Sequence, residues 1–207
     1  MADRLRIFII GVGGQGSLTA ARLLGETALR HGLEAVVGEI HGMAQRGGIV
    51  ETTVLLGGYK GPIIGRGGAD VVLAFEPLEA LRAILALGKA SRKSWVITNT
   101  HPIRPITVSL KLGEYPDLER ALAAVEERVA RLVKLDALAL AEEAGSPLSL
   151  NMVMLGALAE TGLLPFPVEG LEEAIAGFSA EIAEVNLRAF RLGREALTRA
   201  LMMAETE

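Results

Sequence analysis

A glycine-rich turn between a short apolar run and an amphipathic stretch constrains this sequence more than any other feature. Residues 5–10 are mostly apolar and β-branched and do not alternate with polar residues, which is typical of a strand buried on both faces of a sheet. After the glycines, apolar residues recur at three- and four-residue spacing from Leu18 to Ala28. This spacing predicts a helix that begins near Ser17 and ends at Gly32.

The same alternation of strand and helix continues along the chain. Further strands are predicted at residues 33–37, 50–56, 70–75, 94–99 and 129–135, and further helices at 77–90, on both sides of the last strand, and at 148–161, 168–178 and 181–203. This order predicts an α/β fold with a mostly parallel, doubly wound sheet and a Rossmann-like first βαβ unit. We expect an α/β domain over residues 1–145, with residues 146–207 as a helical C-terminal extension packed on it.

Composition narrows the classes of function. The 207 residues include 21 Lys and Arg against 25 Asp and Glu, a net charge of -4, and 4% aromatic residues, which disfavours nucleic-acid binding. No apolar run reaches the roughly 18 residues needed to span a membrane, and a signal-peptide pattern is missing, so we expect a cytoplasmic protein. The chain has no cysteine, which excludes cysteine-ligated iron–sulfur clusters and thiolate zinc sites on it.

The segment Gly11-Val12-Gly13-Gly14-Gln15-Gly16 matches the G-x-G-x-x-G pattern in the context that the pattern requires, between a strand and a helix. Such a turn can seat a phosphate on the N-terminus of the helix, because no side chain blocks the approach. The candidate cofactor-binding residues are Gly11, Gly13, Gly14, Gln15 and Gly16. The alternative is that the glycines only permit a tight turn and close packing of helix on sheet.

A second candidate cluster follows the second predicted strand. It comprises Glu39, His41, Gln45, Arg46, Gly47 and Gly48, and we expect it to face a substrate or another subunit. Arg46 can pair with a carboxylate or phosphate, and His41 can bind an anion or carry a proton. The alternative is a solvated loop. No metal site is expected, because this loop offers at most two ligands.

Other polar residues have simpler interpretations. Glu76 and Glu79 flank Pro77 at a predicted helix start, where carboxylates are favourable without a catalytic role. Asn151 and Asn186 could bond backbone across helices. The sequence has no nucleophile elbow, P-loop or H-E-x-x-H motif, and hence no catalytic residues are assigned.

Three functions are compatible with the residues alone. The chain could be a subunit of an oxidoreductase, a free-standing NAD(P)-dependent dehydrogenase that uses the glycine loop and Glu39, or a ligand-binding module that keeps the fold. Glu39 lies near the position at which a dinucleotide-binding fold places its ribose-binding acid. The dehydrogenase alternative predicts that the isolated chain binds a nucleotide.

Longer segments resemble a known family. These segments are the glycine element, Glu39, His41-Gly42-Met43-Ala44-Gln45-Arg46-Gly47-Gly48, Ala69-Asp70, Phe75-Glu76-Pro77-Leu78-Glu79-Ala80-Leu81-Arg82, Thr98-Asn99-Thr100, Tyr115-Pro116, 151–158 and 186–190. They are similar to the gamma subunits and gamma domains of the 2-oxoacid:ferredoxin oxidoreductase family. The form of the Gln45–Arg46 loop resembles most the beta subunits of its indolepyruvate branch.

The resemblance implies a heteromeric enzyme that decarboxylates an aryl 2-oxoacid such as indolepyruvate, joins the acyl group to coenzyme A and reduces ferredoxin. This chain would be the smaller subunit and inactive by itself. Thiamine diphosphate, magnesium and iron–sulfur clusters are expected on a larger alpha subunit, coenzyme A is the co-substrate, and no cofactor is expected to bind this chain tightly. Arg46 is expected to contact an anionic group of the substrate or of coenzyme A. A homodimer of the isolated chain is left open.

Overall fold

The computed structural model describes residues 4–42 and 47–204. The strands are β1 (Leu5–Val12), β2 (Ala35–His41), β3 (Ile49–Leu56), β4 (Val71–Ala74), β5 (Trp95–Asn99) and β6 (Arg131–Leu135). The helices are α1 (Ser17–Arg30), α2 (Pro77–Leu81), α3 (Ile106–Ser109), α4 (Leu118–Glu126), α5 (Ala137–Ala144), α6 (Leu150–Glu160), α7 (Val168–Phe178) and α8 (Ala183–Ala204). The expected alternation of strands and helices is confirmed.

The six strands form one mixed sheet in the order β2-β3-β1-β4-β5-β6. β1, β4, β5 and β6 pair in parallel, whereas β3 pairs antiparallel with both β1 and β2. Five strands therefore run in one direction and β3 alone runs against them. This arrangement confirms the mostly parallel α/β fold and brings the carboxyl ends of β1, β4, β5 and β6 to one edge of the sheet, here called the carboxyl edge.

Both faces of the sheet are covered, and β1 shows why its sequence is continuously apolar. Ile7 and Ile9 pack into a core shared with α1 and the C-terminal helices, while Phe8 and Ile10 pack into a second core under α2 and α4. All four side chains are almost completely buried. Because both alternating sets of side chains are buried, the strand has no need of a polar face.

The C-terminal helices supply much of the first core. Every residue of α6 from Leu150 to Ala159 is buried, and α6 packs directly against α8. Two glycines permit this contact, since a Cβ added to Gly156 would lie 1.9 Å from the carbonyl oxygen of Phe190, and one added to Gly193 would lie 2.0 Å from that of Val153. The division after residue 145 stays a prediction; helices on both sides of it contribute to one core.

Several elements differ from their predicted bounds, and three of these differences are the most informative. The second strand extends to His41 instead of ending at residue 37, because it pairs along its length with β3. The helix predicted over 77–90 is regular only to Leu81 and continues as a wider π-helical turn to Ala86, so Leu85 faces solvent rather than the core. α6 begins two residues later than expected, after a 3₁₀ turn at Pro147–Ser149.

Candidate functional site

The glycine loop joins β1 to α1 at the carboxyl edge. Gly14 and Gly16 have φ angles of +102° and +79°, values that side-chain-bearing residues rarely adopt. Gly16 is constrained a second time, because an added Cβ would lie 2.6 Å from Nδ2 of Asn151. The sequence pattern therefore reflects a backbone conformation that only glycine adopts without strain.

This conformation leaves a group of backbone N–H donors without acceptors. Within the described part of the chain, the N–H groups of Gly14, Gly16, Ser17, Leu18 and Thr19 have no hydrogen-bond partner, and the first helical bond is donated by the residue after them. α1 has no side-chain hydrogen bond at its N-cap and no acidic residue in its first turn. Free N–H groups at an uncapped helix N-terminus form a site for an anion.

Gln15 and Gly11 have a different role from the other residues of the motif. Gln15 Oε1 accepts a hydrogen bond from the N–H of Val12 at 2.7 Å, and its Nε2 donates to the carbonyl oxygen of Phe75 at 2.8 Å. Gly11 makes room for this amide, since an added Cβ would lie 2.8 Å from Gln15 Oε1 and 2.9 Å from Phe75 Cβ. Both residues therefore support the conformation of the loop.

An open cleft of about 450 Å³ lies beside the glycine loop. It is lined by Gly13, Gly14, Gly16, Ser17, Leu18, Glu39, His41 and Val50. Glu39 and His41 point to the same side of β2, and the His41 Nδ1 to Glu39 Oε1 distance is 3.4 Å. The structure thus brings Glu39 and His41 of the second cluster to the same cleft as the glycine loop.

The rest of the second cluster is only partly described. Gly48 connects it to the glycine loop, because its carbonyl oxygen accepts a hydrogen bond from the N–H of Gly13 at 2.8 Å. Gly47 has a φ of +72° just before β3. Gln45 and Arg46 lie outside the described residues, so their assigned roles stay predictions.

The strand order argues against a dinucleotide site of the dehydrogenase type. In that fold, the ribose-binding acid ends a strand that is the direct neighbour of β1. Here β3 lies between β1 and β2, so Glu39 is one strand farther from the glycine loop. The first βαβ unit is therefore Rossmann-like in its chain order and in the direction of β1 and β2, but the two strands are not paired.

A second cleft of about 270 Å³ lies on the other side of Gly14. It is lined by Gly14, Gln15, Asn99, His101, Ile103, Leu138, Pro147, Leu148 and Leu150. Asn99 is almost fully buried and ends β5. Sequence reasoning assigned no site role to Asn99, although its position at the end of a predicted strand was a usable signal.

Glu76 and Glu79 follow β4 at the same edge. Glu76 Oε2 accepts a hydrogen bond from the Glu79 N–H at 3.0 Å, which confirms the predicted role of Glu76 at a helix start. Its other oxygen accepts from the N–H of Ile103 at 3.1 Å and from the hydroxyl of Tyr115. The contacts with Ile103 and Tyr115 could not be read from the sequence.

Burial changes the titration of two groups near Glu76. Burial raises the pKa of Glu79 above its ordinary value, and only part of this effect is offset by Arg82, whose Nε lies 2.8 Å from Glu79 Oε2. The pKa of Tyr115 is also raised, first by burial and then by its hydrogen bond to Glu76. Burial shifts the protonation equilibrium of both groups towards the uncharged form.

Metal-binding clusters and membrane-spanning helices are both missing from residues 4–42 and 47–204. No three His, Asp or Glu side chains in these ranges lie close enough together to hold a metal ion. No helix there is both long and apolar enough to cross a bilayer.

Comparison with known proteins identifies what this chain resembles. Residues 6–196 match the family model described as pyruvate ferredoxin/flavodoxin oxidoreductase. The indolepyruvate oxidoreductase subunit IorB of Thermococcus kodakarensis is 45% identical over 193 residues, covering 92% of this chain and 94% of the relative. The IorB subunit of Archaeoglobus fulgidus is 41% identical over 191 residues, covering 92% and 94%.

A solved structure shares the fold. The 2-oxoglutarate:ferredoxin oxidoreductase of Magnetococcus marinus, described with 2-oxoglutarate, coenzyme A and succinyl-CoA bound, aligns with a TM-score of 0.71 at 21% identity. The alignment covers 96% of this chain and 32% of that chain. A unit with this fold is therefore about one third of a longer polypeptide in that enzyme.

Proposed function

The chain belongs to the pyruvate ferredoxin/flavodoxin oxidoreductase family, and we propose that it is the smaller subunit of a complex that oxidises an aryl 2-oxoacid of the indolepyruvate type. The complex decarboxylates the acid, transfers the acyl group to coenzyme A and passes the electrons to ferredoxin. Relatives named as indolepyruvate oxidoreductase subunits, similar over nine-tenths of the chain, support this substrate class.

The chemistry is assigned to a larger partner subunit. Cysteine-ligated clusters require thiolates, and this chain has no cysteine. Thiamine diphosphate and its magnesium are likewise assigned to the larger subunit, so this chain contributes binding surface rather than a redox group. The residues at the carboxyl edge are therefore proposed to hold the co-substrate.

The group of free N–H donors at the glycine loop is the observation that carries this assignment. We assign it to a phosphate of coenzyme A, because donors at a helix N-terminus stabilise a negative charge without a side chain. The bound coenzyme A named for the Magnetococcus marinus enzyme supports the choice of ligand. Arg46, seven residues after Glu39 and five after His41 in the sequence, is proposed to pair with another anionic group of the same ligand.

Glu39 limits how the ligand lies in the cleft. Its carboxylate lines the same cleft as the glycine loop and would repel a second phosphate placed beside it. A carboxylate accepts hydrogen bonds from hydroxyl and amine groups. The phosphate is therefore assigned to the glycine loop, and a hydroxyl- or amine-bearing part of the ligand to the side of Glu39 and His41.

A pair of glycine substitutions at opposite ends of α1 tests the site. Gly14 and Gly32 both have positive φ, at +102° and +75°, and an added Cβ has no neighbour within 4 Å at either position. Gly14→Asp introduces a carboxylate into the cleft, while Gly32→Asp introduces the same charge and strain away from it. Each variant is combined with the larger subunit, and the Michaelis constants for coenzyme A and the 2-oxoacid are measured.

We expect Gly14→Asp to raise the KM for coenzyme A by about tenfold or more, the equivalent of losing at least one charge-assisted contact. Gly32→Asp should leave that KM within about twofold, because it changes only a distant helix end. Equal KM values for coenzyme A in both variants and the unmodified complex would reject the glycine loop as its site. Nucleotide-dependent hydride transfer by the isolated chain would favour the dehydrogenase alternative instead.

A further inference from the structure

Three side-chain amides from distant parts of the sequence bond the glycine loop or the Phe75 carbonyl beside it. Gln15 belongs to the loop itself, Asn99 ends β5, and Asn151 lies in the first turn of α6. No ion pair among the described residues involves the glycine loop. The loop is therefore held by neutral amide hydrogen bonds.

The carbonyl oxygen of Phe75, just after β4, is the centre of this arrangement. It accepts from Gln15 Nε2 at 2.8 Å and from Asn99 Nδ2 at 3.0 Å. A carbonyl oxygen has two lone pairs, so both are used. The loops that follow β1, β4 and β5 are thereby fixed to one atom.

Asn99 extends the connection to the next strand. Its Oδ1 accepts from the N–H of His101 at 3.2 Å and from the N–H of Ala137 at 3.1 Å. Ala137 begins α5 directly after β6. One buried amide therefore joins the loops after β4, β5 and β6, and Gln15 adds the loop after β1.

Asn151 fixes the other end of the glycine loop. Its Nδ2 donates to the carbonyl oxygen of Gly16 at 3.3 Å, and this oxygen also accepts the first helical bond of α1, from Ala20. Asn151 is almost fully buried, and its Oδ1 has no partner among the described residues. The sequence-based expectation that Asn151 bonds backbone across elements is confirmed.

We propose that Gln15 is a positioning residue that holds the glycine loop in its anion-binding conformation, with Asn99 and Asn151 supporting it from β5 and α6. This inference rests on the proposed function, which assigns a phosphate of coenzyme A to the same loop. It changes the expected role of Gln15, because both ends of its amide already bond backbone groups. A direct contact with the ligand would use the second hydrogen of Nε2 or the second lone pair of Oε1.

The physical effect is preorganisation of the donors. The bond from the Val12 N–H to Gln15 Oε1 closes a tight turn across Gly13 and Gly14. With the turn closed, the free N–H groups of the loop and of the first turn of α1 are ordered before the ligand binds. Without it, part of the binding free energy is spent on ordering the loop, which raises KM for the ligand of this site without changing a chemical step.

The test compares Gln15→Leu, Gln15→Glu and the control Asn186→Ala in the complex with the larger subunit. Gln15→Leu removes both hydrogen bonds, whereas an ionised Gln15→Glu keeps the acceptor for Val12 and loses the donor to Phe75. Asn186 is also a buried amide, but it accepts from Ser149 Oγ and does not touch the glycine loop. The measurements are KM for coenzyme A, kcat, and hydrogen exchange of the Val12 amide in each variant.

We expect Gln15→Leu to raise KM for coenzyme A by about tenfold, the effect of about one to two lost hydrogen bonds, with kcat within about twofold. Its Val12 amide should exchange faster, and Gln15→Glu should restore slow exchange of Val12, because the acceptor for that amide is kept. Asn186→Ala should change neither KM nor Val12 exchange. If Gln15→Leu does not fold, Gln15→Met, which is close to Gln in length and lacks the amide, is compared with Asn186→Ala in KM for coenzyme A and in Val12 exchange.

Two results would overturn this inference. An unchanged KM in the Gln15 variants, together with a raised KM in Gly14→Asp, would reject positioning by Gln15 and leave the proposed function standing. A fall in kcat with KM unchanged would show that Gln15 acts on the reaction rather than on the loop. If Gly14→Asp also leaves KM unchanged, both the inference and the assigned ligand site are rejected.

Discussion

Glycine serves opposite purposes in two regions of this molecule. At the carboxyl edge, Gly14 has a positive φ and open space around its missing side chain. Between α6 and α8, Gly156 and Gly193 have ordinary helical backbones, but each lies against the carbonyl oxygen of the facing helix. The first region uses the backbone freedom of glycine, and the second uses its small size.

The difference teaches how the two regions are stabilised. The α6/α8 contact brings two backbones together inside a mostly apolar core, where no atom can move aside cheaply. The carboxyl edge is held by discrete hydrogen bonds to side chains such as Gln15, Glu76 and Asn99, beside open clefts. We therefore expect small volume changes to be costly between the helices and single polar changes at the edge to be milder.

The largest effect is expected from Gly156→Ala. Its Cβ would lie 1.9 Å from the Phe190 carbonyl oxygen, so the helices must separate, and we expect a loss of about 3 kcal/mol or more in the free energy of unfolding. Gly177→Ala, on an exposed part of α7 with no neighbour within 4 Å, should instead stabilise by about 0.5 kcal/mol. Denaturant unfolding of both variants measures the difference, and similar values for the two would break the comparison.

A smaller effect is expected from Tyr115→Phe at the carboxyl edge. The change removes the hydroxyl that donates to the buried Glu76 carboxylate, and we expect a loss of about 1–2 kcal/mol in the free energy of unfolding. The other tyrosine provides a matched control, because the Tyr59 hydroxyl has no hydrogen-bond partner in the described part of the chain. Tyr59→Phe should shift the urea midpoint little, and an equal shift in both variants would remove Glu76 as the cause.

The smallest effect is a pH dependence from Glu79. Its pKa is raised in the folded state, mainly by burial, so its contribution to stability is greatest below the unfolded pKa and is lost as the pH rises through the folded pKa. Relative to Gln at this position, the native protein should therefore lose stability as the pH rises from about 4 towards neutrality.

Urea unfolding of the native protein and of Glu79→Gln across that pH range measures this effect. Glu169→Gln, on the exposed first turn of α7, reports the effect of the charge change itself. The opposite result, in which the native protein becomes more stable relative to the Glu79→Gln variant as the pH rises, would show that the Arg82 contact outweighs burial at this site.

Much of the architecture could be predicted because it depends on local patterns. The apolar run of β1, the glycine element and the periodicity of α1 predict strand, turn and helix within one or two residues of their observed bounds. The same patterns correctly predicted the strand between α4 and α5. Propensity and periodicity did not show that the helix after Pro77 becomes a π-helical turn, because packing under the sheet decides how that turn closes.

The candidate site was predictable in its location but not in the roles of its residues. The loop, Glu39 and His41 do meet in one cleft. Gln15, however, resembles a ligand contact in sequence and is bonded to backbone in the structure, because its partner Phe75 is 60 residues away. Asn99 and Tyr115 were not among the candidate site residues. Their hydrogen bonds are to Phe75 and Glu76, which only the fold brings near them.

The sequence by itself determined the α/β class, the glycine conformations of the first loop and the absence of thiolate chemistry, because these follow from local residue types. The tertiary structure decided that β3 separates β1 from β2, that α6 and α8 meet through glycines, and that the amides of Gln15 and Asn151 hold the glycine loop. These features arise from contacts between residues far apart in the chain, whose partners are set by packing and by the need to satisfy buried polar groups.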